Sequence, residues 1–381
     1  MRVRTPIQKR IVVRETKIVG ILSYDSDNKY PQKIRDIIRD SGRGSLCVDM
    51  YGRFLKGKGF TVDALNKVIV NRWGVNGLNL LREAAGSYSL FRGFAIHVNY
   101  NTLFEIKELT AIPFEQCRLV TPDDTDYVGG IAVYNNWAGE KYKSITPAKA
   151  VRYHKFNPLP EVIMAQVEKA GGWTNYKGQV FYFSADGPNM YPLCSLDAVL
   201  EDCVTDGKIK AFKYNRITTD FMASHMLVTK GKMEGGEEKR AFDRNIESFQ
   251  GAENANKIFH VEIDQDEDKP EVIPFEHTNN DRIFQYTEAS VHENIRKRLF
   301  IPPVLVGDLI AGKLGTSEEI YDAYALYNSV TEIDRLEIEE KLAPLFQLWV
   351  NDLGEEVKIE PRSIDVTQRE ILAKPKPEPE E

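Results

Sequence analysis

Two stretches of the chain carry the G-x-x-x-x-G-K spacing that can cradle a nucleotide phosphate: GRFLKGKG from Gly52 and GDLIAGKL from Gly307. Such a loop offers successive backbone N–H groups and a lysine to the phosphates. It also needs a Ser or Thr directly after the lysine to hold magnesium. Gly59 and Leu314 stand at that position. The first run continues as GFTVDALN, and the second lies behind Pro302 and Pro303 instead of a buried parallel strand. Both read as turn and loop glycines, and nucleotide hydrolysis is not expected at either.

The other chemistry-bearing groups are dispersed. Asp264, Asp266, Glu267 and Asp268 form a like-charge run, which is ordinarily a solvated face, and Asp123, Asp124 and Asp126 lie in the turn-like TPDDTDY. The six histidines show no HxxxH or HExxH spacing, so two imidazoles are nowhere presented on one helical turn to a metal. Cys47, Cys117, Cys194 and Cys203 form no CxxC pair and read as reduced, buried small hydrophobes. No GxSxG or Cys/His signature is present. Arg296, Lys297 and Arg298 are expected to face solvent or pair with Glu293 and neighbouring acids. Tyr321, Tyr324 and Tyr327 are expected to be packing surface, because a base-stacking groove needs interleaved basic residues and theirs are Asp322, Asn328 and Glu332. The expectation is a protein without catalytic residues, cofactor or metal.

The chain has 381 residues, 42% hydrophobic and 28% charged, enough for a real core and too mixed for a fibre. Its 50 basic and 57 acidic side chains leave a net charge of −7, so the whole surface does not offer the positive field that tight DNA binding requires. No apolar run is long enough for a membrane span, and the start, MRVRTPIQKRIVVRETKIVGIL, lacks the pattern of a secretory signal. The cytoplasm, or a particle assembled there, is the expected location.

Along the chain, residues 1–30 read as a polar, turn-rich arm. KIRDIIRDS has helical spacing, and the run from Phe60 to Gly93 carries apolar residues at intervals of three and four. Short β-rich runs between residues 94 and 156 are expected to be mainly sheet, which makes the class α+β. From Ser195 to Ser224 a helix-like recurrence persists unusually far, although Gly207 costs about 1 kcal/mol inside it. A glycine-punctuated acidic insert follows, with a short helix expected near residues 237–249 and a strand at Ile258–Ile263. A second long helix, residues 281–300, returns as an antiparallel neighbour of the first. Pro302 and Pro303 keep the start of residues 301–317 from being helical, so a loop is expected there. Thr316 or Ser317 should cap one further long helix, with Glu318 and Glu319 in its first turn. AKPKPEPEE has nothing to bury and is expected to be disordered.

The stretch ENIRKRLFIPPVLVGDLIAGKLGTSEEIYDAYALYNSVTEIDRLEIEEKLAPLF resembles the portal proteins of tailed bacteriophages: a helix ending in a Pro-Pro turn, a variable loop, and a helix opening with Ser or Thr and an acidic residue. DNKYPQKIRDIIRDSGRGSLCVDMYGRFLKGKGF, SYSLFRGFAIHVNYN and IPFEQCRL are similar to the amino-terminal half of such portals. The resemblance implies an N-terminal arm (1–30), an α+β wing domain (31–193), a first stem helix (194–224) and a small α/β clip (225–278). It further implies a second stem helix (279–300), a tunnel loop (301–316), a tunnel/wing helix (317–353) and a tail (354–381). Family members often have an Asn-Gly turn where the first stem helix meets the clip, and this chain has Thr219-Asp220 there. A large helical crown is not expected.

By the same resemblance, Gly307, Asp308, Ala311, Gly312, Lys313, Leu314, Gly315 and Thr316 would form the tunnel loop facing DNA. Glu237, Glu238, Lys239, Arg240, Asp264, Asp266, Glu267 and Asp268 would face the terminase or adaptor from the clip. The implied role is a homododecameric ring at one capsid vertex of a virion assembled in the host cytoplasm. Its partners would be the terminase large subunit, a head-tail adaptor or neck protein, the major capsid protein or scaffold, and duplex DNA passing without sequence specificity. No membrane partner is implied. A duplex slides best past a wall that does not hold phosphates, and a net-negative chain with an acidic insert meets that need. Two alternatives remain: another structural head or neck protein, which would lack paired helices around an insert, and an ATP-dependent DNA-handling enzyme, which would need a near-Walker segment to bind nucleotide.

Overall fold

Two short antiparallel strands, β1 (Glu15–Thr16) and β2 (Ile21–Leu22), precede the first helix. The computed structural model describes residues 11, 13–16, 20–137, 149–218, 225–230, 236, 250–251, 254–255, 258–263, 272–274, 281–308, 317–350 and 356–363. These fall into two units, Met1–Leu200 with Asn294–Glu381, and Glu201–Glu293.

In the first unit, α1 (Tyr30–Asp40) opens with Pro31, whose missing N–H is harmless in a first turn, and buries Ile34 and Ile38 on one face. Ser41 ends it, and its hydroxyl accepts from the Gly44 N–H to cap α2 (Gly42–Lys56). After β3 (Gly59–Phe60) and the one-turn α3 (Asp63–Lys67), the Asn76 side chain caps α4 (Gly77–Phe91) by accepting from the Asn79 N–H at 2.8 Å. The expected helices are therefore present, with caps the sequence carries locally.

The sheet has six strands: β4 (Gly93–Tyr100), β5 (Ile106–Ile112), β6 (Cys117–Leu119), β7 (Gly130–Val133), β8 (Val151–Lys155) and β9 (Gln179–Ser184), in the order β5-β4-β9-β8-β7-β6. All neighbours are antiparallel except β8 and β9. A parallel pair needs a crossover, and α5 (Pro160–Ala170) lies in that connection. The sheet thus extends past residue 156, where the sequence pattern ended it, because β9 inserts between β4 and β8. Phe91 of α4 stacks on Phe114 at 5.6 Å and Tyr88 on Phe183 at 6.3 Å, which seats this helix against the strands. Gly93 permits the join: a Cβ there would sit 2.6 Å from the Phe183 carbonyl oxygen.

Within residues 1–30, read as an arm, the part from residue 20 on is core. Tyr24 is buried and stacks on Tyr191 at 4.1 Å. Asn28 meets the fully buried Arg118, which donates to its side-chain oxygen at 2.5 Å and its carbonyl at 2.7 Å. Arg118 also donates to the carbonyls of Glu115 (2.9 Å) and Cys117 (2.8 Å) and lies 5.1 Å from the Trp137 ring. Burial lowers the pKa of this guanidinium, and neutral oxygens with aromatic faces replace its hydration.

The second unit starts in α6 (Leu200–Thr218), which runs through Gly207 unbroken. It contains β10 (His225–Lys230), β11 (Gln250–Gly251), β12 (Asn254–Ala255), β13 (Ile258–Ile263) and β14 (Val272–Pro274). β10 lies between β13, its parallel neighbour, and β14, its antiparallel one. β13 has the expected bounds; the helix expected near 237–249 lies outside the described residues. α7 (Asp281–Arg298) returns antiparallel to α6, as the bonds Asp206 to His292 (3.0 Å) and Lys213 to Glu288 show by their register.

Back in the first unit, Pro303 opens a 3-10 turn, Pro303–Val306, within the span expected to be loop. Proline is tolerated there because first-turn N–H groups have no intrahelical acceptor. The single long helix expected next is two, α8 (Ser317–Val330) and α9 (Glu332–Gln347). Thr331 breaks it: its hydroxyl donates back to the Tyr327 carbonyl (2.8 Å), while the buried Arg335 donates to the Asn328 carbonyl (2.8 Å) and the Thr331 hydroxyl (2.9 Å). The Asn328 carbonyl at the break is thereby satisfied, and the Tyr327 carbonyl also keeps the Thr331 N–H at 3.0 Å. Residues 356–363 of the expected tail are packed, with β15 (Ile359–Glu360) antiparallel to β3 and the Ile359 N–H donating to Glu339 at 2.7 Å. AKPKPEPEE lies outside the described residues.

Arg118→Met should destabilise the protein by about 2–4 kcal/mol, since it leaves several buried oxygens without a donor. Urea denaturation followed by tryptophan fluorescence measures this, and an unchanged midpoint would contradict the role given to Arg118.

Candidate functional site

The glycine-rich segment after the Pro-Pro turn leaves the described structure at a fixed point. Ile295 near the end of α7 and Leu299 just after it are buried, and Phe300 reverses the chain with a left-handed φ of 54°. Arg296 then donates to the Ile301 carbonyl at 2.8 Å, closing that reversal. In the 3-10 turn that follows, Gly307 takes φ 80°, where a side chain would be strained, and the Asp308 N–H returns to the Pro303 carbonyl at 3.0 Å.

The Asp308 carboxylate is gripped by two arginines from distant parts of the chain. Arg43 on α2 donates to it, and the Arg296 Nε lies 3.5 Å away. Arg43 is only 7% exposed, so its guanidinium needs this partner, whereas the Asp308 side chain keeps 43% exposure. One turn along α2, burial pushes the Cys47 thiol up to about 11, with the nearby guanidiniums opposing and Asp308 adding to the shift. That thiol stays protonated and is a poor nucleophile at neutral pH.

The far side of the same segment is anchored on α2 as well. Tyr327 meets Phe54 edge-on at 4.7 Å and Tyr324 lies 5.2 Å from it, so these tyrosines are packing surface as their neighbours suggested. Tyr51 donates to Asp334 (2.7 Å) and Tyr88 to Glu337 (2.6 Å), fastening α9 to α2 and α4. Burial raises both phenol pKa values, and the carboxylates reinforce the shift, so both hydroxyls act as donors.

Of the residues expected in the tunnel loop, the structure describes Gly307 and Asp308. Ala311, Gly312, Lys313, Leu314, Gly315 and Thr316 lie outside the described residues, as do Glu237, Glu238, Lys239, Arg240, Asp264, Asp266, Glu267 and Asp268. Arg296 departs from its expected solvent-facing or Glu293-paired state: it is largely buried and faces Asp308, while Lys297 and Arg298 are exposed. Arg43 was missed, and nothing local to it could have pointed to a partner 265 positions away.

The first near-Walker run is not a phosphate loop. Its Gly52 lies within α2, the Gly57 and Lys58 N–H groups donate to the Arg53 and Glu360 carbonyls, and the Lys58 amine lies 3.3 Å from the Glu360 carboxylate. Among the described residues no cluster of His, Cys, Asp and Glu could hold a metal ion, and no helix is long and apolar enough to cross a membrane. All four cysteines are buried free thiols, as expected.

Neither a protein-family model nor a curated protein matches the sequence. Solved structures do match. A chain from the virion of a native gene transfer agent particle superposes with a TM-score of 0.56 at 15% identity, over 90% of this chain and 88% of that one. A chain from the neck of the native particle, computed with C12 symmetry, gives 0.51 at 14% identity over the same shares. This chain shares their fold. An HK97-family phage portal protein from Corynebacterium diphtheriae aligns at a TM-score of 0.44 and 8% identity, over 90% of this chain and 98% of that one. The mixed α+β class expected from the sequence is the one observed.

A double-mutant cycle with Arg43→Met and Asp308→Leu should return a coupling of about 1 kcal/mol or more. Additive effects on the denaturation midpoint would mean that Asp308 does not anchor this turn.

Proposed function

We propose that this chain is the repeating subunit of a portal: a dodecameric ring at one vertex of a DNA-carrying particle, through which duplex DNA enters during packaging and leaves during ejection. The observation that carries this reading is the fold shared, over 90% of the chain, with a neck chain computed in twelvefold symmetry. In this role the ring docks the terminase large subunit from one side, the adaptor of the neck in its place later, and the capsid or scaffold around its rim. The chain itself catalyses nothing, and energy for packaging comes from the docked motor. Its location is the virion.

In this reading residues 31–193 form the wing, α6 and α7 the stem, residues 225–278 the clip, residues 301–316 the tunnel loop and residues 317–353 the helices behind it. The acidic clip residues Asp264, Asp266, Glu267 and Asp268 present a charged face to the motor or adaptor. The loop from Gly307 to Thr316 reaches the DNA from a root fixed at Asp308, and Lys313 makes brief phosphate contacts. A net charge of −7 supports the conduit role, because a duplex repelled by the wall passes without stalling.

Deleting residues 311–315 should leave ring assembly intact and lower the DNA packaged per particle, read by nuclease-protected DNA against capsid protein. Particles with intact rings and normal DNA content would remove the tunnel role from this segment.

A further inference from the structure

Three helices of the first unit, α1, α2 and α4, enclose a groove of about 620 Å³. Five cationic side chains line it: Arg35 and Arg39 from α1, Arg53 and Lys56 from α2, and Arg82 from α4. Asp49 is the single acidic side chain in the lining. Arg35 is engaged by Glu115 at 2.6 Å and Arg39 by Asp36 at 3.3 Å. Among the described residues Arg53, Lys56 and Arg82 make no ion pair. Lys56 is held below its ordinary pKa by burial and then by the repulsion of Arg82, Arg362 and Arg53. Like charges converging without counter-ions are unfavourable, and a bound anion relieves them. In a chain of net charge −7 this groove is a local reversal of sign.

Part of its lining is apolar. Ile38 and Val48 are buried there beside Leu90, and Gly86 lies within α4 on the groove. A glycine inside a helix costs about 0.5–1 kcal/mol relative to alanine. Gly52 across the groove has a packing reason, since a Cβ there would lie 3.0 Å from the Ser89 hydroxyl, but a Cβ on Gly86 would meet nothing within 4 Å. Gly86 therefore leaves open space beside the groove at a cost that internal packing does not require.

We propose that this groove docks an acidic peptide segment of a partner protein, its carboxylates meeting Arg53, Lys56 and Arg82 and an apolar side chain lying over Gly86. A nucleic acid duplex would satisfy the cations but presents phosphates and no apolar side chain to Ile38, Val48 and Leu90. The inference stands apart from the ring reading, because it uses only the surface of one subunit.

The test is fluorescence anisotropy of a labelled peptide alternating Glu and Leu, titrated with the full chain at low and moderate salt, with a duplex DNA of equal charge as the second probe. Saturable peptide binding is expected, weakened about tenfold by Lys56→Glu or Arg82→Glu, in keeping with the loss of a close charge contact. Gly86→Leu should weaken it similarly by filling that open space while circular dichroism remains unchanged, and Lys169→Glu on α5 should leave it unaltered. No saturable binding, an equal loss in the Lys169 variant, or tighter binding of the duplex than of the peptide would each overturn the proposal.

Discussion

A buried guanidinium must find partners for its charge and its N–H groups, and Arg43 finds the carboxylate of Asp308, 265 positions away. This demand ties α2 to the turn from which the glycine-rich segment departs. The same helix receives Tyr324 and Tyr327 of α8 on Phe54, gives the Tyr51 hydroxyl to Asp334 of α9, and supplies the Phe54 carbonyl to Arg335 at 3.3 Å. Elements separated by more than 250 residues thus share one scaffold, and residues 309–316 are bounded by anchors on it.

The two units use polar contacts differently. In the first, three buried polar groups are committed to the fold: Arg118 to oxygens and aromatic rings, Arg335 to a helix break, Glu339 to the β15 N–H. These bonds fix positions inside a core. In the second unit, α6 and α7 are joined by a part-buried pair, Asp206 to His292, and by an exposed one, Lys213 to Glu288. Exposed pairs contribute little stability each.

Legibility in the sequence followed the range of the interaction. Ser41 and Asn76 cap helices through bonds to residues three positions on, and the helices they start were readable. The Ile258–Ile263 strand was readable from its own composition, and the tyrosines of α8 from their neighbours. β9 was not, because its place between β4 and β8 depends on a crossover through α5. The break at Thr331 was hidden because helical periodicity continues across it, and what favours the break is a guanidinium folded back from α9. The candidate site divides the same way. Pro302 and Pro303 marked the end of the preceding helix, while Arg43 and the inward turn of Arg296 arise from tertiary packing alone.

The central claim is that copies of this chain close into a ring around a channel, and imaging the purified protein by negative-stain electron microscopy, with mass by light scattering on the same sample, tests it most directly. The account predicts rings with a central opening and a mass twelve times the 43.5 kDa of one chain. An assembly without an opening, or a stable monomer that hydrolyses ATP, would contradict it.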